Sequence, residues 1–257
     1  MSAPAAAIEA RGLSKRYGDI VAVDGISFEV GKGEVVGFLG PNGAGKTTTL
    51  RMLTGFLPAS DGSARIAGHD IFSAPLDARR SVGYLPELPP LYPEMTVESY
   101  VSYVASLKEV ARAERRDAVA HALERCGLAD VRSRVIRDLS KGFRQRVGLA
   151  QAIVHDPPVL VFDEPTVGLD PIQIREIRGL IADLAAPRHG EQRQTVLLST
   201  HILPEVSAIC SRVILIHRGR KALDQPLDSL LSEQGSLEEV FSRVTSGDEA
   251  ELPEANA

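Results

Sequence analysis

The 257-residue chain has no tryptophan, two cysteines and two asparagines, Asn42 and Asn256. Cys126 and Cys210, with no CxxC spacing, exclude a disulfide framework and a structural zinc module, so two buried, reduced thiols are expected. Long apolar runs are missing too. The longest uncharged stretches, residues 35–45 and 194–204, are eleven residues each, against the roughly 20 that a membrane-spanning helix requires. Nor is there an excess of positive charge: 29 Lys and Arg stand against 34 Asp and Glu, a formal net charge of −5, and no nucleic-acid partner is expected. What remains, 44% hydrophobic and 25% charged residues, is the composition of a folded globular body.

Only the ends depart from it. Residues 1–7 are Ala-rich and are expected to be a disordered N-terminus, and residues 245–257, with four acids and no base, a disordered acidic tail. The body begins with two β-like runs, residues 8–17 and 21–30, whose close spacing around Gly18-Asp19 predicts antiparallel pairing. Residues 34–39 read as a buried strand, followed by a Gly-rich turn and a helix from about Lys46. From about Met95 to His155 the pattern is helical: Val97, Tyr100, Val101, Val104 and Leu107 recur at helical spacing, and Gly127 reads as a helix stop.

Strands then return at 159–162, 195–199 and 213–216. Between the first two lies a helix opened by Asp170-Pro171, with Ile174, Ile177, Leu180, Ile181 and Leu184 on one face. Ser236-Leu237-Glu238-Glu239 is a capping box that opens a short last helix. Strands alternating with helices predict an α/β fold with a mostly parallel sheet, carrying an N-terminal antiparallel β subdomain and an inserted α-helical subdomain.

The most informative segment is Gly40-Pro41-Asn42-Gly43-Ala44-Gly45-Lys46-Thr47, followed by Thr48, which fits GxxxxGK[ST] between a predicted strand and a predicted helix. Glycines let backbone N–H groups converge on phosphate oxygens, and the helix N-terminus favours the anion. Lys46 is expected on the β- and γ-phosphates and Thr47 on Mg²⁺. Asp163 and Glu164 follow the strand at 159–162, at the end of a parallel strand where such sheets bind ligands. Asp163 suits a second Mg²⁺ contact, and Glu164 suits a general base for the attacking water. The chain lacks the N/TKxD motif that reads guanine, so ATP is expected rather than GTP.

Leu139-Ser140-Lys141-Gly142-Phe143-Arg144-Gln145-Arg146 resembles the signature of the ABC ATPases, LSGGQ followed by RQR. Other motifs of that family stand in order around it: Tyr17 at the adenine-stacking position, Glu87 at the Q-loop, Asp163-Glu164-Pro165 as Walker B, Gly168-Leu169-Asp170 as the D-loop and His201 as the switch histidine. The resemblance covers roughly residues 8–224. It departs from the family pattern in Lys141 for Gly, Phe143 for Gln, and Glu87 where Gln is commonest.

The resemblance implies the ABC ATPase fold, with a P-loop NTPase core. The ATPase domain would span 8–235 with a helical subdomain at about 88–156, followed by a C-terminal helix at 236–244. It implies hydrolysis of Mg²⁺-ATP by Lys46, Glu164 and His201, with Thr47, Glu87 and Asp163 toward the metal. It further implies a second ATPase subunit, a copy or a paralogue, docked head-to-tail so that Ser140 and Gly142 of one chain meet the γ-phosphate held by the other, with Asp170 at the junction. The remaining partners would be integral membrane permease subunits, with the chain cytoplasmic and peripheral on the inner face of the membrane. The motifs look most like exporters with separate membrane subunits, the alternatives being an importer ATPase or a soluble ABC ATPase outside transport.

Overall fold

The computed structural model describes residues 6–186 and 193–246. Two sheets organise it. In the first, β1 (Ala6–Tyr17) pairs antiparallel with β2 (Ile20–Gly31) and with β4 (Asp61–Ile66), and the short β5 (His69–Asp70) adds to β4, giving the order β2-β1-β4-β5. This is the expected antiparallel unit, with β4 and β5 as further members. Ala6 and Ala7 belong to β1, and Ala7 is buried, so the extension expected over 1–7 gives way to strand from Ala6. Residues 1–5 and 247–257, most of the two expected disordered ends, lie outside the described residues; Thr245 and Ser246 close the last helix.

The second sheet has the order β10-β9-β3-β8-β7-β6. Here β3 is Val35–Leu39, β6 Val82–Leu85, β7 Val159–Asp163, β8 Thr195–Thr200, β9 Arg212–His217 and β10 Arg220–Pro226. All its neighbours run parallel except β10, which turns back on β9. Both faces are covered, which is why β3, β7 and β8 read as near-continuous apolar runs. The strand period sorts their residues: Val35, Leu39, Leu160 and Phe162 enter one core, Val36, Phe38, Val159 and Val161 the other. The second core lies between the two sheets and includes Leu50, Met52 and Leu53 of α1 (Lys46–Leu53).

The short α2 (Pro75–Arg80) leads into β6, and the helical segment follows as α3 (Val97–Leu107), α4 (Arg115–Arg125) and α5 (Lys141–Ile153). Thr96 caps α3 by accepting the Ser99 N–H at 3.2 Å, and Gly127, at φ 62°, follows the end of α4. Val97, Tyr100 and Val101 are buried as their spacing predicts. Leu107 is not; it stands exposed at the end of α3, on the rim of a groove described below.

α6 (Pro171–Ala185) buries Ile177, Leu180, Ile181 and Leu184. α7 (Leu203–Ile209), α8 (Leu227–Gln234) and α9 (Leu237–Ser246) complete the chain, the last burying Leu237, Val240 and Val244. Cys126 and Cys210 are free and buried, and burial pushes both thiols up to about 12. No helix among the described residues is long and apolar enough to cross a membrane.

Candidate functional site

Strands β3, β8 and β7 are adjacent and parallel, so their C-terminal ends open on one side. The loop 40–45 follows β3, Glu164 follows β7 and His201 follows β8. Together they line a cavity of 360 Å³ whose wall includes Asn42, Lys46, Thr47, Glu87, Glu164 and His201. Ala22 of β2 and Val167 also line it, and nothing in their local sequence marks them for that place.

The loop has room for glycine alone at two points. A Cβ on Gly40 would lie 2.3 Å from the carbonyl oxygen of Ile216, and one on Gly45, at φ 102°, 2.7 Å from that of Ala22. Gly45 caps α1 without a side chain, which leaves the first N–H groups of the helix unspent, as an anion requires.

The charged groups are buried and interlinked. Lys46 donates to the carbonyl of Gly40 at 2.7 Å, and its Nζ lies 3.3 Å from Glu164 Oε1. The other carboxylate oxygen of Glu164 lies 2.8 Å from Nδ1 of His201. Glu164 sits at φ 48°, a left-handed conformation that a residue with a side chain rarely adopts and that clusters at functional sites. The Thr47 hydroxyl donates to Asp163 Oδ1 at 3.2 Å. Oδ2 of Asp163 is buried with no hydrogen-bond partner among the described residues, and burial pushes this carboxyl above the usual carboxylate range, against the Thr47 bond.

An orphaned carboxylate oxygen beside a threonine hydroxyl suits a hard divalent cation. No three His, Cys, Asp or Glu side chains form a metal cage among the described residues. That donor set matches Mg²⁺, which takes few protein ligands and completes its shell with phosphate and water.

The structure does not bring every expected residue here. Tyr17, 49% exposed, lies outside the cavity wall, with the Lys15 ammonium 5.4 Å above its ring. Ser140, Gly142 and Asp170 are also absent from that wall and form a second cluster where α5 and α6 begin. Ser140 caps α5 by accepting the Phe143 N–H at 3.3 Å, and Asp170 caps α6 by accepting the N–H groups of Ile172 and Gln173, both at 2.9 Å. Gly142 packs against Gln173, and the Lys141 ammonium occupies the place a Cβ on Gly168 would need. Within one chain, the P-loop cavity and the signature segment are separate.

Beside Tyr17 a groove of 620 Å³ runs between the parallel sheet and α3, lined by Phe56, Tyr84, Leu88, Tyr92 and Tyr103 among others. Phe56 and Leu88 are 71% and 78% exposed, an apolar surface of the kind that marks interaction sites. Its aromatics come from separate elements, so no local sequence pattern announces it.

Comparison with known proteins shows the family and the fold. Residues 23–167 match the family model described as ABC transporter. The bacitracin transport ATP-binding protein BcrA of Bacillus licheniformis is 36% identical over 223 residues, 87% of this chain and 71% of its own length. The Nod factor export ATP-binding protein I of Paraburkholderia xenovorans is 38% identical over 231 residues, 90% and 74% of the two chains. Among solved structures, an ATP-binding subunit of an ABC transporter superposes with a TM-score of 0.81 at 29% identity, over 92% of this chain and 98% of that one. The dimeric structure of the bacterial ABC transporter cassette MJ0796 superposes with a TM-score of 0.76 at 25% identity, over 86% and 98%.

Proposed function

This chain belongs to the ABC transporter family as an ATP-binding subunit, and we propose that it hydrolyses ATP to drive an exporter whose membrane subunits are separate chains. The observation that carries this reading is the Lys46–Glu164–His201 chain of contacts on the P-loop cavity, beside Thr47 and Asp163.

The unspent N–H groups at the start of α1 bind the triphosphate, and Lys46 exchanges the Gly40 carbonyl for the β- and γ-phosphates. Thr47 and Asp163, with Glu87 on the cavity wall, would hold Mg²⁺, which when bound neutralises phosphate charge. As Lys46 turns to phosphate, Glu164 Oε1 loses its cationic partner and becomes free to accept a proton from water. His201 orients Glu164 through Nδ1, which leaves its second ring nitrogen for the γ-phosphate. Tyr17 offers its exposed ring to adenine.

The signature half-site is completed across two chains. Ser140 is exposed at the start of α5 and lies outside its own cavity, so a second subunit docked head-to-tail presents the Ser140 cap, the Gly142 backbone and the Asp170 loop to the phosphate of the first. That a similar cassette has been solved as a dimer supports the pairing of two such chains. The aromatic groove receives a short helix of the permease, which holds the chain on the inner face of the membrane. Export, rather than import, follows the names of the relatives that transport bacitracin and export Nod factor.

The test is size-exclusion chromatography of Glu164→Gln with ATP and Mg²⁺. Slowed hydrolysis is expected to accumulate an ATP-dependent dimer absent with ADP. A variant that binds ATP and stays monomeric refutes closure between two copies of this chain.

A further inference from the structure

Among the described residues, Glu205 is the one fully buried carboxylate the proposed chemistry leaves unused, with 1% of its surface exposed in the first turn of α7. Its partners are two buried hydroxyls. Oε1 accepts from Thr166 and Oε2 accepts from Thr200, the latter at 2.8 Å. Thr166 follows Glu164 by two residues, in the turn that leads to Gly168 and Asp170. Thr200 ends β8 immediately before His201, and its oxygen also accepts the N–H of Ile202 at 3.0 Å, so it brackets His201 on both sides. One carboxylate thus grips both loops whose side chains meet as the Glu164–His201 pair.

A buried carboxylate held, among the described residues, by two hydroxyls is an expensive way to fill space, since an apolar side chain of the same shape would avoid its desolvation. What the acid supplies is two acceptor oxygens at fixed separation, one for each loop. Glu164 needs such restraint, because a left-handed backbone at a residue with a side chain persists only where its surroundings over-determine it.

We propose that Glu205 is a positioning residue that holds the Walker B turn and the switch loop in register through Thr166 and Thr200, so that Glu164 and His201 meet at the phosphate cavity. This rests on the reading of those two residues as the hydrolytic pair. It also makes movement of the turn at 164–170 felt at His201, linking the segment proposed to face the second subunit to the chemistry in its own chain.

The bonding pattern dictates the variants. Thr200 accepts the Ile202 N–H and donates its own proton to Glu205. A glutamine there can turn its oxygen to Thr200 and donate its amide to Thr166, keeping both links; a leucine keeps neither. In steady-state hydrolysis by the purified full chain, Glu205→Leu is expected to lower kcat about tenfold or more with the KM for ATP within about threefold. Glu205→Gln is expected to retain most of the rate. Thr166→Val and Thr200→Val should each lower kcat less, and should add little on the leucine background. Should the leucine variant fail to fold, the Thr166→Val/Thr200→Val double variant carries the same expectation.

Amide exchange on residues 164–170 and 199–203 should quicken in Glu205→Leu, with β3 unchanged. This readout separates the two ideas: a wild type that does not hydrolyse ATP refutes the hydrolytic pair, while exchange still reports on the link. Wild-type kcat in the leucine variant, an equal loss in the glutamine variant, or unchanged exchange in both loops overturns the proposal.

Discussion

Around the P-loop the chain buries Lys46, Asp163 and Glu164 together and leaves one oxygen of Asp163 without a hydrogen-bond partner among the described residues. Where α5 and α6 begin, by contrast, Ser140 and Asp170 are exposed and spend their side-chain oxygens capping their own helices. The first cluster costs the empty fold stability, since desolvated charge is unfavourable without a ligand, as the proposed phosphate and metal site requires. The second is arranged for the fold and stabilises the chain with no ligand bound. The same protein therefore carries one strained half-site and one relaxed one, and substitutions in the two should move stability in opposite directions.

The largest expected effect is on chemistry in the strained half. Glu164→Gln keeps shape and removes the proposed base, so phosphate release should fall by roughly 10²–10⁴-fold. A fall of less than tenfold would assign the base elsewhere.

Next is the relaxed half. Asp170→Ala deletes the acceptor of two backbone N–H groups and should cost about 1–2 kcal/mol. In a domain of this size that lowers Tm by about 2–4 °C for each kcal/mol, measured by calorimetry. Ser140→Ala, which loses a single and longer bond, should cost about 1 kcal/mol or less.

The contrast is sharpest, and the effect smallest, at Asp163. Burial lifts its carboxyl above the ordinary value, so the folded chain keeps that proton at pH values where the unfolded chain has released it. Its contribution to stability is present on the acid side and is lost as pH rises through the folded value. Asp163→Asn should therefore raise the Tm of the nucleotide-free chain at neutral pH and abolish the further rise given by Mg²⁺ with ATP. A lower Tm without nucleotide would break the comparison, because both half-sites would then stabilise the fold.

The parts of this molecule that a reader of the sequence can find are those made by neighbouring residues. The P-loop is eight consecutive residues between a strand and a helix, and the caps at Ser140 and Asp170 act within three residues of themselves. The buried strands at 35–39, 159–163 and 195–200 announce themselves because both faces are covered. Less visible were β4, β5, β6 and β10. Asp61–Ile66 and Arg220–Pro226 mix Asp, Gly, Arg and Lys into short strands, where pairing with a neighbour overrides weak propensity. Glu205 looks like any helical surface acid, since burial is decided by what packs over α7.

The sequence alone determined the chemical inventory: a phosphate loop, an acidic pair after a strand, a capped signature helix and two inert thiols, each a product of local spacing. The tertiary structure alone decided which of these meet. Lys46 reaches Glu164, Thr47 reaches Asp163 and Glu164 reaches His201 because the sheet runs in the order β3-β8-β7, out of chain order. The same packing keeps Ser140 and Asp170 away from their own P-loop cavity. Such crossovers are set by how helices cover both faces of a twisted parallel sheet, a property of the whole core that no single segment encodes.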